Sequence, residues 1–143
     1  MATREFPIDF ETLEPDSKPR RCLALPSGHP RAAAADVHSP AFAAAPEAVL
    51  DAFIAAGLSE PRVKVARRDD ATGQVELVQR SLIFRFPDYV TVAASDAGEG
   101  RASLMVYSRA VIGYSDLGVN EKRVRRWLEG TGERLGQAAG KAK

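Results

Sequence analysis

The sequence predicts a single α+β domain in which two helices pack on one face of a curved antiparallel sheet of four or five strands. The chain has 143 residues, 45% hydrophobic and 27% charged, which suits one globular domain. Two segments carry apolar residues at helical spacing, and the segments between them alternate apolar and polar residues. Two amphipathic helices can cover one face of such a sheet, so these observations favour a two-layer domain.

The first forty residues are predicted to form an irregular, Pro-rich arm. Proline breaks helices and central strands, and it stands here at Pro7, Pro15, Pro19, Pro26, Pro30 and Pro40. Within this arm, residues 21–25 are apolar enough for an edge strand. We expect residues 1–40 to lie across a core domain of residues 41–130, with residues 131–143 as a flexible tail.

Two helices are predicted, over residues 46–58 and 121–129. Pro46 suits a first helical turn, and the apolar face that follows consists of Val49, Leu50, Phe53, Ile54 and Leu58. Asn120 is the expected N-cap of the second helix, and Val119 and Val124 are spaced for a hydrophobic staple around it. The buried stripe of this helix is predicted to be Val124, Trp127 and Leu128.

Between the helices, the alternation predicts strands at 62–68 and 74–79, joined by a turn at 69–73. Residues 80–86 either continue the second strand or begin another. A further hairpin is predicted from residues 89–94 and 101–111 around a glycine-rich turn at 95–100. In its last strand, Met105, Tyr107 and Arg109 share the face that is expected to point away from the helices.

Composition excludes several classes of function. The net charge of +1 gives no basic excess for nucleic acid. Cys22 is the only cysteine and cannot form an internal disulfide, and no segment has the length of a signal peptide or a membrane span. We therefore expect a cytoplasmic protein without a membrane span. The two histidines, His29 and His38, show no metal-binding pattern, and no cofactor motif is present, so neither a metal nor a cofactor is predicted.

The richest set of polar side chains lies where the last strand leads into the last helix. Arg109, Tyr114, Ser115, Asp116 and Asn120 could converge there on a small polar or anionic ligand. An arginine fork suits a carboxylate or phosphate, and the first N–H groups of a helix favour an anion. A purely structural interpretation also fits: Asp116 can bond its own turn, the nearby glycines can supply unusual backbone angles, and Arg109 can pair with Asp116.

A second candidate is the polar interruption at Gln79-Arg80-Ser81, followed by Arg85 between two phenylalanines. If Arg80 or Arg85 lay inside the sheet, a ligand or an internal carboxylate would have to satisfy its charge. The alternative, which we favour, is that both point to solvent. The basic run at residues 122–126 is likewise better explained as a solvated helix face than as a nucleic-acid patch.

Several motifs resemble the bacterial domain of unknown function 1499 family. They are Val78-Gln79-Arg80-Ser81, Phe84-Arg85-Phe86-Pro87-Asp88, Tyr107-Ser108-Arg109, the run from Gly113 to Asn120, and Arg123. The resemblance spans roughly residues 8–130. It implies that the motif residues are Arg80, Ser81, Asp88, Ser108, Arg109, Gly113, Asp116, Gly118, Asn120 and Arg123, and it supplies no reaction.

The sequence therefore favours a non-catalytic module that binds a small ligand through Arg80, Arg109, Tyr114, Ser115, Asp116 and Asn120. The main alternative is a structural or interaction domain that docks a partner or a second copy through the arm or through the face of Met105 and Tyr107. An enzyme that uses Asp116 or Cys22 is the least favoured class. The sequence fixes neither the ligand nor the oligomeric state.

Overall fold

A computed structural model describes residues 5–137 of the chain. Two α-helices and six strands make up the fold: β1 (Arg21–Pro26), β2 (Val37–Ser39), α1 (Pro46–Leu58), β3 (Val63–Asp69), β4 (Gln74–Arg80), β5 (Pro87–Gly98), β6 (Arg101–Ala110) and α2 (Val119–Arg134). The strands form one sheet in the order β2-β1-β6-β5-β4-β3. The predicted α+β class with two helices is therefore confirmed.

The sheet is larger than predicted and mixed rather than antiparallel. Strand β2 pairs in parallel with β1, while the other neighbouring strands are antiparallel. Segment Arg21–Pro26 lies between β2 and β6, so its assignment as an edge strand was wrong. A three-residue strand carries too little alternation to be recognised from sequence. The predicted arm thus contributes two strands to the sheet.

Both helices cover one face of the sheet, as predicted. Val49, Phe53 and Ile54 of α1 and Val124, Trp127 and Leu128 of α2 share a core with inward-facing strand residues such as Leu77, Val92 and Leu104. The two helices approach closely at Gly57, where a Cβ would lie 2.8 Å from the Trp127 ring. The helix stripes identified from periodicity are therefore the ones that fold against the sheet.

The N-terminal segment covers the opposite face of the sheet. Ile8 and Phe10 pack there on Leu23, Ala93 and Tyr107. The side-chain amide of Gln74 accepts a hydrogen bond from the Ile8 N–H (2.8 Å) and donates one to the Ile8 carbonyl. The N-terminal part of the arm therefore lies across the sheet, whereas β1 and β2 of the predicted irregular arm belong to the sheet itself. Of the predicted outward docking face, Tyr107 is buried under the arm and Met105 is half-buried, so little of that face is exposed.

Three local predictions also failed, one in the β4–β5 loop and two at the start of helix α2. Residues 81–86 form a loop between β4 and β5 and not a strand. Helix α2 spans Val119–Arg134, with Gly118 in the left-handed region (φ 83°) at its N-cap. Asn120 is therefore buried in the first turn instead of capping it. Val119 is exposed, so the predicted hydrophobic staple is absent.

Within residues 5–137, no helix is both long and apolar enough to cross a membrane. The predicted tail begins inside α2, and residues 138–143 of that tail lie outside the described residues.

Candidate functional site

A cleft of about 380 Å³ opens at one end of the sheet, on the side of the helices. The β4–β5 loop, the β6–α2 connection and the first turns of α2 form its walls. The cleft combines apolar lining surface with polar and charged side chains, which are Arg62, Gln79, Arg80, Ser81, Asp88, Ser115, Asp116, Arg123 and Arg126. Many of the motif residues that the sequence places far apart therefore meet at this cleft.

A buried polar network forms the floor of the cleft. Arg123 is 5% exposed, and its guanidinium donates hydrogen bonds to the side chains of Gln79 (2.8 Å) and Asn120 (2.7 Å) and pairs with Asp88 at 3.1 Å. The Ser108 hydroxyl donates to Asn120 Oδ1. Every member thus has partners inside the protein, which is what a buried polar group requires.

Asp116 organises the turn that leads into α2. Its carboxylate accepts hydrogen bonds from the Gly118 N–H (2.8 Å), the Asn120 N–H (3.0 Å) and the Asn120 side-chain amide (2.8 Å). These bonds satisfy backbone donors at the start of the helix, the task that a capping side chain performs. Asp116 therefore bonds its own turn, as the structural interpretation expects, and Gly113 (φ 89°) and Gly118 (φ 83°) supply left-handed backbone angles.

Two arginines on the rim of the cleft keep free hydrogen-bonding capacity. Arg62 Nε donates to the Arg80 carbonyl (2.9 Å), and Arg80 Nη1 donates to the Arg85 carbonyl (3.0 Å). Among residues 5–137, no carboxylate forms an ion pair with Arg62 or Arg80. By contrast, Arg126 forms a bidentate pair with Glu60 at 2.9 Å. The remaining N–H groups of Arg62 and Arg80 therefore give the cleft a positive rim.

Burial shapes the ionisation of the pair on the floor. Burial raises the pKa of Asp88, and the neighbouring Arg123 only partly opposes this effect. Burial likewise lowers the pKa of Arg123, although Asp88 favours its charged form. Because each of these charges is held by the other, the pair has little attraction left for a ligand. The rim arginines are the groups that can attract one.

Backbone strain is concentrated around the same cleft. Arg62 (φ 63°), Arg85 (φ 60°) and Leu117 (φ 54°) are non-glycine residues in the left-handed region, and among the described residues only Glu99 joins them elsewhere. Each such conformation costs about 1–2 kcal/mol. Strain of this kind persists where the surrounding structure holds it, often at functional sites.

The structure separates Arg109 from the connection, so the predicted meeting of Arg109 with Asp116 was wrong. Arg109 is fully buried on the arm side of the sheet, where its guanidinium pairs with Glu76 (3.5 Å) and donates to Thr91 Oγ1 (2.7 Å) and the Tyr107 carbonyl (3.0 Å). Side chains alternate along a strand, and the next position towards the N-terminus, Ser108, faces Asn120 on the helix side. The two groups therefore lie on opposite faces of the sheet, and Arg109 cannot take part in the cleft.

The other predicted site residues have mixed positions. Arg80, Ser115 and Asp116 line the cleft. Asn120 lies behind the lining with all of its side chain buried, and Tyr114 is 70% exposed on the neighbouring loop. Arg80 and Arg85 are both exposed, so the favoured prediction that they point to solvent is confirmed.

Cys22, His29 and Asp116 are each buried or engaged in local contacts. Cys22 lies in the core under the helices, where burial raises its pKa to about 12. His29 accepts a hydrogen bond from the Arg31 N–H through Nδ1. The Asp116 carboxylate is occupied by its own turn. These contacts give each group a structural role.

A larger trough, of about 1000 Å³, lies at the other end of the sheet on the arm side. It is bounded by residues 7–11 and 26–30 and floored by Ala93, Ser103 and Met105. Its charged lining residues are Asp9, Glu11 and Asp96, with no lysine or arginine among the described lining residues. Size alone would favour this trough, but the motif residues and the unpaired cations lie at the smaller cleft, which is the better candidate.

The sequence does not single out two residues of the cleft, nor one buried acid outside it. It places Arg62 in a strand and Gln79 in the Gln79-Arg80-Ser81 interruption, and it predicts no role for Glu76. Glu76 is in fact fully buried under the arm. One feature of the sequence does point to this burial. The apolar residues at positions 6, 8 and 10 indicate that the arm covers the second face of the sheet, which is the face that carries Glu76.

Comparison with known proteins supports the family resemblance. Residues 12–130 match the family model described as protein of unknown function (DUF1499). Neither the curated proteins nor the solved structures contain a match to this chain. The matched range covers more than half of the sequence and includes the cleft and both loops that border it. The chain therefore belongs to the DUF1499 family of proteins of unknown function.

Proposed function

We propose that this protein is a non-catalytic binding module that holds a small anionic ligand in the cleft between the β4–β5 loop and the β6–α2 connection. The observation that carries the proposal is the pair of rim arginines, Arg62 and Arg80, which have no carboxylate partner among residues 5–137. The acidic residues of the cleft are already engaged, Asp88 by Arg123 and Asp116 by its turn.

The chemistry of the rim favours a phosphate or carboxylate. An arginine guanidinium is planar and donates two parallel hydrogen bonds to either group. The backbone carbonyls that orient the two rim arginines restrain their side chains before a ligand arrives. Such preorganisation reduces the entropy that is lost on binding. A cytoplasmic location stays part of this proposal.

Titration with a small phosphate monoester tests the proposal. Glycerol phosphate would be added at constant ionic strength while amide and arginine Nε signals are followed by ¹H–¹⁵N NMR, with glycerol as the uncharged control. We expect shifts at residues 79–88 and 112–118 and at the Nε of Arg62 and Arg80. Arg80→Gln should weaken binding about tenfold or more, because a hydrogen bond to a charged group contributes about 1.5–3 kcal/mol.

The matched control is Arg68→Gln, which removes the same charge from an exposed position at the far end of β3. It should leave the affinity unchanged. Shifts confined to the trough around Ala93 and Met105, or no shifts at all, would contradict the proposal and leave the structural or interaction domain as the better interpretation.

A further inference from the structure

The two loops beside the cleft expose an unusual amount of apolar surface. Nine large apolar side chains are exposed among the described residues, and eight of them belong to residues 81–86 and 111–119. They are Leu82, Ile83, Phe84, Phe86, Ile112, Tyr114, Leu117 and Val119. Concentration of exposed apolar residues at one end of a domain indicates a surface that meets an apolar partner. We call these eight residues the apolar tips.

Local hydrogen bonds and ring stacking keep the apolar tips of residues 81–86 exposed to solvent. Leu82, Ile83 and Phe84 follow one another without alternation and are 68–78% exposed. The loop that carries them is closed at its base by hydrogen bonds between Ser81 and Phe86, one through the Ser81 side chain at 2.9 Å and one between their backbones at 2.9 Å. The rings of Phe84 and Phe86 stack with centroids 5.4 Å apart. The loop is therefore shaped to present these residues, and they are not remnants of an incomplete core.

Three of the apolar tips line the candidate anion site, and the other five belong to the two loops that border it. Phe86, Ile112 and Val119 line the same cleft as Arg62 and Arg80. Arg85 lies within the exposed loop and, among residues 5–137, forms no ion pair. One end of the molecule thus combines projecting apolar side chains with arginines whose charge is not neutralised.

The charge of this surface favours an anionic lipid bilayer over a second copy of the chain as its partner. A second copy related by twofold symmetry would bring the same unpaired arginines face to face, and like charges oppose such contact. An anionic bilayer offers the complementary surface: its phosphates attract arginine, and its acyl region accepts aliphatic and aromatic side chains at the interface. The combination of tips and cations therefore fits a lipid surface better than self-association.

We propose that the apolar tips insert into the surface of an anionic lipid bilayer while a lipid phosphate enters the cleft between Arg62 and Arg80. The inference rests on the proposed function, because it names the lipid headgroup as the source of the bound anion. The protein then acts as a peripheral domain that recognises anionic membrane surface.

Vesicle co-sedimentation of the full chain tests this inference. We expect binding to vesicles of phosphatidylcholine mixed with phosphatidylglycerol, and little binding to phosphatidylcholine alone. Ile83→Asp should weaken binding more than tenfold, and Arg80→Gln about fivefold. Leu58→Asp is the matched control, since Leu58 is 46% exposed but lies outside the tips, at the end of α1. It should bind like the parent, and circular dichroism should confirm that all three variants are folded.

The possible outcomes separate this inference from the proposed function. If glycerol phosphate shifts the cleft signals but the protein stays in the supernatant with anionic vesicles, the bilayer inference is overturned and the proposed function stands. Equal binding to neutral vesicles, or binding that Arg80→Gln does not weaken, overturns the headgroup assignment. A dimer in solution that Ile83→Asp dissociates overturns the inference in favour of a second copy.

Discussion

The ion pair beneath the arm gives the sharpest stability prediction. Glu76 and Arg109 have fully buried side chains, and Glu76 also accepts hydrogen bonds from Arg67 at 3.0 and 3.2 Å. In the Glu76→Gln variant, Arg109 loses its ion pair with Glu76 and keeps neutral acceptors such as Thr91 and the Tyr107 carbonyl. Removing one member of a buried pair lowers the free energy of unfolding by about 3–5 kcal/mol. Because glutamine retains one acceptor oxygen, we expect about 3 kcal/mol.

A loss of this size is easily measured. Domains of this kind have about 5–15 kcal/mol of stability, and urea slopes are about 1–3 kcal/mol/M, so the urea midpoint should fall by more than about 1 M. Unfolding can be followed by the fluorescence of Trp127, which is buried between the helices on the opposite side of the sheet. A change seen there reports the whole domain and not only the arm.

Two companion variants make the test specific. Glu121→Gln removes an exposed partner of Arg125 and should change the free energy of unfolding by less than about 1 kcal/mol. Adding Arg109→Met to Glu76→Gln should restore part of the lost stability, since the buried charge that had paired with Glu76 is removed as well. The reasoning is refuted if Glu76→Gln unfolds within about 1 kcal/mol of the parent at an unchanged urea slope, or if the second substitution only adds to the loss.

Three further predictions follow from other contacts. Gln74→Ala should speed limited proteolysis within residues 5–20, because the arm loses the two hydrogen bonds between the Gln74 side chain and the Ile8 backbone. Gln137→Ala removes a similar pair of hydrogen bonds to the Ala43 backbone and should not speed cleavage there. Equal cleavage in both variants would contradict the proposed role of Gln74 in holding the arm. Cys22 should react with a thiol reagent such as DTNB only after unfolding, because burial raises its pKa to about 12; rapid reaction of the folded protein would place it outside the core. A hydrogen bond from Arg126 lowers the pKa of Glu60, so this pair stabilises the fold above the unfolded pKa and stops doing so as the pH falls through the lowered folded value. Glu60→Gln should therefore lose less than about 1 kcal/mol at neutral pH, and this loss should shrink in urea titrations as the pH falls below the unfolded pKa. A loss that stays the same size in acid would count against the pair.

Local signals in the sequence were strong enough to predict much of the fold. The first helix has the predicted bounds, Pro46–Leu58, because a proline at its start and five apolar residues at helical spacing agree. The stripe of Val124, Trp127 and Leu128 was predicted for the same reason. Strand β2 escaped prediction because three residues carry almost no periodicity, and its position depends on pairing with β1.

The candidate site was predicted only in part, for a physical reason. The stretch around Asp116 was correctly identified as a structured connection, but the partner of Arg109 lies 33 residues earlier in the chain, on another strand. Which face of a strand an arginine occupies depends on register, and a shift of one residue reverses it. The sequence predicts a strand for the apolar tips of residues 81–86 and does not predict that they are exposed, because exposure is a property of the whole fold and not of the local sequence.

The central claim is that the end of the molecule formed by residues 81–86 and 111–119 is the binding surface. Hydrogen–deuterium exchange of the full chain, with and without vesicles containing phosphatidylglycerol, tests it most directly. The structure predicts slower exchange in these two segments and at Arg62, with no change at residues 26–30 and 93–97 around the trough. Protection of the trough segments instead, or no protection in either loop, would contradict it.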